Sequence, residues 1–390
     1  MSKSDTQDLG PARKSLNTEV SLTRFVGYFL WLGTVGFGGP IALAGHMQQD
    51  LVNKYGWFTQ EDYVEGLALA QLAPGPLAAQ LAIYLGFLRA GFVGATLVAV
   101  AFVLPSFVMV LGLSAAYVRF GGLSWMQGMF YGIGAAVIGI IARSAYKLSK
   151  LTLGKDYLLG AIFLVLAIST AYTSKEAIGL FLLSGLVYML AKGQPWTAWK
   201  GRSGFGLAFA GAALSFTSPV AQLFFFFAKA GMFVFGSGLA VLPFLYGGVV
   251  GGHHWLTEQQ FVDAIAVAMI TPGPVVITVA FVGYLVAGFG GAVAAAAGVF
   301  LPVYAVVILF APSYKRWSKV PQLNAFVRGI TAAATGAIAG AVIVLARRSI
   351  VDLPTLLIAA ISLLVLMKWK IPEPVIIAIA AVAGLLLHHR

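Results

Sequence analysis

Leu72-Ala73-Pro74-Gly75-Pro76 decides how this chain is read, because the chain writes it again as Ile270-Thr271-Pro272-Gly273-Pro274. The stretch before it, Phe58-Thr59-Gln60-Glu61-Asp62-Tyr63 and then Glu65, returns as Leu256-Thr257-Glu258-Gln259-Gln260-Phe261 and then Asp263. An offset of 198 residues also pairs Trp57 with Trp255 and Phe37-Gly38 with Phe235-Gly236. One residue is then lost. An offset of 197 pairs Gly86 with Gly283, Gly91-Phe92 with Gly288-Phe289, and Leu104-Pro105 with Leu301-Pro302. Repeats of this size in an apolar chain are a usual construction of secondary transporters.

The chain is 60% hydrophobic and 10% charged, with mean hydropathy +0.91. Soluble domains carry roughly 25% charged residues, so this composition points to an integral membrane protein. Runs such as 357–366 and 375–387 suit helices that span in about 20 residues. They are too long and too unalternating for barrel strands. The absence of cysteine removes disulfides, thiolate metal sites and thiol redox chemistry. Residues 1–20 are polar, with no apolar core of a cleaved signal peptide. The net charge of +12 is read as the positive-inside bias rather than as a nucleic-acid footprint. It favours an anionic substrate.

The fold expected is an all-α polytopic membrane protein of thirteen crossings. They lie near 25–45, 60–88, 91–118, 125–143, 157–173, 176–192, 205–220, 222–248, 258–287, 289–312, 325–346, 352–367 and 372–387. With a cytoplasmic N-terminus, 17 basic residues fall inside and 6 outside. The organisation is a tail at 1–21, a first repeat at 22–192, a linker with a connecting helix at 193–221, and a second repeat at 222–390. Six crossings, one linker helix and six more turn the second copy upside down, giving inverted repeats. A re-entrant break in place of a crossing would flip everything after it.

Proline ends a helix ladder and glycine accepts unusual dihedrals. Each Pro-Gly-Pro thus closes one half-helix and opens another, with Pro76 and Pro274 in the opening turn. The opened end offers free N–H groups and a positive dipole, where a dianion can rest. Simple kinks that shape packing are the plain alternative. Candidate binding residues are Pro74, Gly75, Pro76, Pro272, Gly273 and Pro274, flanked by Gln71, Gln80, Thr271 and Thr278. Gly38, Gly39, Gly236, Ser237 and Gly238 offer a second layer of backbone amides or close helix packing.

Glu65 and Asp263 are acids in membrane segments. They are proton-coupling candidates, with capping or ion pairing as the alternative. Lys229 contacts substrate or snorkels to an interface. Arg89 is an entry charge or a cytoplasmic anchor. Phe224–Phe227 is lipid-facing or packing bulk. Gly336/Gly340 and Gly247/Gly251 suit close helix contacts or a homodimer face. His253-His254 make a poor metal site. No Walker A, His-Glu-x-x-His or Gly-x-Ser-x-Gly pattern is present, so neither an ATP-driven pump nor an enzyme is expected.

Phe37-Gly38-Gly39-Pro40, Trp57-Phe58 through Glu65, Gln71–Pro76 and Leu104-Pro105-Ser106 resemble the first half of the chromate ion transporter superfamily. Phe235-Gly236-Ser237-Gly238 and Thr271–Pro274 resemble its second half. The resemblance covers about 22–388 and fits the long, two-domain form. It implies a bacterial inner-membrane protein that exports chromate using the proton-motive force and so confers chromate resistance. It implies no cofactor. Sulfate or another oxyanion is the alternative substrate, and an anion channel the alternative mechanism. The second half departs from the first at Ser237 for Gly39, Gly238 for Pro40 and Thr271 for Ala73, which makes any shared site asymmetric.

Overall fold

A computed structural model describes residues 20–37, 39–121, 123–173, 178–193, 218–232, 241–313, 320–369 and 371–387. These are helical almost throughout. The first half runs α1 (Leu22–Val35), α2 (Gly39–Met47, continuing as a π-helical stretch Gln48–Lys54), α3 (Gln60–Leu72) and α4 (Leu77–Phe120). It ends in α5 (Ser124–Leu153), α6 (Tyr157–Thr173) and α7 (Ile178–Lys192). The second half runs α8 (Pro219–Gly231), α9 (Val241–Leu245, continuing as the π-helical Tyr246–Gly252) and α10 (Glu258–Ile270). A 3-10 turn at Val275–Ile277 leads to α11 (Thr278–Phe310), then α12 (Pro321–Ser349), α13 (Leu353–Lys368) and α14 (Glu373–Leu387).

The repeat legible in the letters recurs in the backbone. The two π-helical stretches are 198 residues apart, as are the capping boxes of Thr59 with Asp62 and Thr257 with Gln260. Gly56 and His254, again 198 apart, both take positive φ, at 62° and 53°. At 197 residues, Ala90-Gly91 and Ala287-Gly288 interrupt α4 and α11 with nearly identical dihedrals.

These interruptions reverse the chain. A Cβ on Gly86 would sit 2.7 Å from the Gly94 carbonyl oxygen, and one on Gly283 would sit 2.2 Å from that of Gly291. Eight residues of unbroken helix would hold such atoms about 12 Å apart. Each of α4 and α11 is therefore a short arm, a turn at glycine and a long arm. Only glycine lets the arms approach so closely.

The Pro-Gly-Pro breaks reverse the chain as well, which corrects the reading of 60–88 as one broken crossing. A Cβ on Gly66 of α3 would lie 2.4 Å from the Tyr84 ring on the short arm of α4. Along a straight path these residues would be about 27 Å apart. In the second half Tyr117 touches both Asp263 and Phe281, one on each side of the break.

The segments 25–45 and 222–248 also fold back. Tyr28 donates to Asp50 at 3.1 Å, and Phe226 packs against Trp255 with ring centroids 5.4 Å apart. Each half therefore opens with two hairpins, not two crossings. The expected crossing at 205–220 lies almost wholly outside the described residues.

Among the described residues, four helices are long and apolar enough to cross a membrane: α4, α5, α12, and α11 with the turn before it. In α4 and α11 the crossing part is the long arm. Small residues bring the bundle together, as is common where lipid surrounds the helices. Gly132 meets Gly384 between α5 and α14, and Gly336 and Gly340 seat on Phe163 and Ala167 of α6. Gly336/Gly340 is thus an internal contact and not a dimer face.

The core has two parts. One gathers the first-half hairpins with Val307 of α11 and Ala311 just after it. The other gathers the second-half hairpins and the bundle with Val110 from α4. Each long arm thus enters the other half's core.

Candidate functional site

The breaks sit where the long arms exchange. Pro76 and Pro274 each precede the helical turn they open, as N-caps, one position earlier than the opening turn expected from sequence. Gly75 and Gly273 take φ of 138° and 90° between the prolines. No side chain is comfortable there, which is why glycine stands at both.

The residue after each Leu-Pro pair faces the other half's break. Ser106 follows Leu104-Pro105, and its hydroxyl donates to the Pro272 carbonyl at 2.7 Å. Val303 follows Leu301-Pro302, and its methyls lie 2.8 and 2.9 Å from where a Cβ on Gly75 would be. The second break is also tied through its backbone. The Gly273 N–H donates to the Gly36 carbonyl, 2.8 Å away, at the turn between α1 and α2. The turn of one half's first hairpin thus meets the turn of the other half's second hairpin.

The flanking polar residues divide. Gln80 is fully buried, and its Nε2 donates to the Pro74 carbonyl at 2.6 Å. Thr278 is fully buried and donates to the Val275 carbonyl at 2.7 Å. Thr271 caps α10 and bonds back to the carbonyls of Val267 and Ala268, both at 3.1 Å. Gln71 is exposed at the end of α3. Gly39 opens α2 with φ 76°. Gly38, Gly236, Ser237 and Gly238 lie outside the described residues.

The symmetric acids are not equivalent in surroundings. Asp263 is 3% exposed and accepts from Tyr117 at 2.7 Å and from Gln259 at 3.0 Å. Glu65 is half-buried. Arg89 donates to the Val20 carbonyl, so it ties the base of the second hairpin to the start of α1. Lys229 is exposed in the last turn of α8. Phe224–Phe227 serves both readings: Phe227 is fully buried, and Phe225 is 45% exposed. Ser106 and Tyr117 are the residues the sequence reading did not place. Ser106 carried a signal in Leu-Pro-Ser against Leu-Pro-Val, whereas nothing local marked Tyr117.

The chromate transporter family matches this chain twice, at residues 23–190 and 221–385. The chain belongs to that family. The two matched segments each contain one pair of hairpins, one break and one long arm. A chromate transport protein of Cupriavidus metallidurans is 59% identical over 95% of each chain. A probable chromate transport protein of Synechococcus elongatus is 54% identical over 94% of this chain and 95% of its own. A chromate transport protein of Pseudomonas aeruginosa is 30% identical over 92% of this chain and 89% of its own. No solved structure matches the chain.

Proposed function

We propose that this protein is a multi-pass carrier of the bacterial inner membrane. It exports chromate by alternating access, draws on the proton-motive force and confers chromate resistance. The observation that carries the reading is the pair of buried breaks, each packed on the other half's long arm. Family membership and relatives named as chromate transport proteins supply the substrate.

The two repeats, 22–192 and 222–390, enter from opposite faces. Arg89 and Val20 mark one base. Arg348 at the end of α12 pairs with Glu258 at the other, at 3.0 Å. Because each half begins with two reversals in place of two crossings, parity is unchanged after them. Only Lys54 changes side, so the basic residues become 18 inside and 5 outside.

A cytoplasm-negative potential favours anion exit by about 2.3 kcal/mol per charge per 100 mV. The helix N-terminus at each break supplies N–H groups without a fixed cation. The anion is held weakly enough to leave. Glu65 and Asp263 remain the proton-coupling pair. Tyr117 and Gln259 hold Asp263 in place.

Radiolabelled chromate uptake into inside-out vesicles tests the reading. Saturable uptake that collapses with the proton gradient and is little inhibited by sulfate is expected. Full competition by sulfate would make a general oxyanion carrier, and unsaturable flux a channel.

A further inference from the structure

Resting on the reading of this chain as an oxyanion carrier, we propose that the first break selects a singly protonated oxyanion, such as hydrogen chromate, over a bare dianion. Gln80 makes the selection. It stands in the first turn of the short arm of α4, fully buried, with its Nε2 on the Pro74 carbonyl. That bond fixes which way the amide points. The flipped amide would set two acceptor oxygens against each other with no proton between them. Oε1 is therefore the atom left over, and it is buried with no hydrogen-bond partner. Buried polar atoms without partners are few, and each calls for an explanation.

Oε1 shares a carbon with Nε2, so it lies at the level of the break. The opening N–H groups of the short arm lie there too, without helical acceptors. The two features ask for different things. The amides favour negative charge. Oε1 repels a bare anionic oxygen and needs an O–H donor. A tetrahedral monoanion with one hydroxyl satisfies both. Chromate takes up such a proton near neutrality, whereas sulfate does so only in strong acid. Protonation then separates two anions that shape alone would not. Among the described residues, no buried side-chain atom at the second break is left without a partner, since Thr278, at the matching position, is already bonded to the Val275 carbonyl.

Titratable groups surround the short arm. Arg24 and Tyr28 lie on α1, His46 and Asp50 on α2 and its π-helical continuation, Glu61, Asp62, Tyr63 and Glu65 on α3, and Tyr304 on α11. The arm itself carries Tyr84 and Arg89. Titration of any of these acts on chromate and sulfate alike, whereas titration of the ligand acts on chromate alone.

The test is equilibrium binding of radiolabelled chromate and, separately, radiolabelled sulfate to the purified full chain in detergent, from slightly acid to alkaline pH. The apparent Kd for total chromate should rise about tenfold per pH unit once chromate is mainly dianionic. Sulfate should bind at least about tenfold more weakly at neutral pH, without that slope. Gln80→Leu should flatten the chromate slope and bring the two anions together. A chromate Kd flat with pH, or sulfate bound as tightly as chromate or with the same slope, would overturn the proposal and leave Oε1 to a water molecule. If Gln80→Leu does not fold, the wild-type pair of titrations still decides. If chromate binds at no pH, the carrier reading itself falls, and this inference with it.

Discussion

The first and second breaks share a Pro-Gly-Pro turn with positive-φ glycine and differ in what holds them. Among the described residues, Pro74-Gly75-Pro76 is braced by its own short arm, through Gln80, and packs on the other half at the methyls of Val303. Pro272-Gly273-Pro274 is bonded across the halves twice, by Gly273 to Gly36 and by Ser106 to Pro272. Apolar contacts slide at little cost, whereas a buried hydrogen bond must find a new partner when it breaks. Movement during transport is then expected to begin at the first break, with the second acting as the fixed side.

The largest effect should come from Gly273→Ala. Its Cβ would fall 2.0 Å from the Ser106 hydroxyl, at a φ of 90°. Left-handed backbone costs roughly 1–2 kcal/mol for a non-glycine residue, and overpacking adds about 1–3 kcal/mol. Thermal unfolding in detergent should show a clear fall in Tm. Gly75→Ala, at a positive φ of 138°, carries a backbone penalty too, but its Cβ would meet Gln80 and Val303 no closer than 2.7 Å, so it should lose less. Equal losses would erase the proposed difference between the breaks.

Next comes Asp263→Ala, which strands the Tyr117 hydroxyl and the Gln259 amide at a cost of about 1–3 kcal/mol. Glu65→Ala, at a half-buried position, should cost less in the same unfolding measurement. Ser106→Ala removes one buried hydrogen bond and should cost about 0.5–1.5 kcal/mol. It should also speed chromate flux or raise its leak if the second break is the tethered one; unchanged flux and stability would sink the tether. Lys229→Ala should be the mildest, within about 0.5 kcal/mol, as for an ordinary exposed position. Loss of chromate binding in that variant would return Lys229 to the site.

The repeat, the breaks and the buried polar flanks were legible in the letters, because proline and glycine act locally. The reversals were not. A hydropathy run of the length of 60–88 looks the same whether it crosses once or folds at its middle. What distinguishes the two is a pair of small residues on the facing sides, such as Gly66 under Tyr84 or Gly86 against Gly94. Spacing alone does not say that such residues touch. Tyr117 was missed for a related reason: it meets Asp263 across 146 residues, a contact made only by the exchange of long arms. Gly336 and Gly340 do make the close helix contact that their spacing suits, and the neighbour is internal, although a small-residue stripe fits a second copy equally well.

The central claim is that the two halves enter from opposite faces and join their breaks between them. The chain has no cysteine, so single cysteines report cleanly. Lys54→Cys and His254→Cys, at the hairpin bases of the two halves, can be labelled in sealed vesicles with a thiol reagent that does not cross membranes. Labelling of Lys54→Cys from the cytoplasmic face alone, and of His254→Cys from the opposite face alone, is the predicted result. Labelling of both from one face would contradict it.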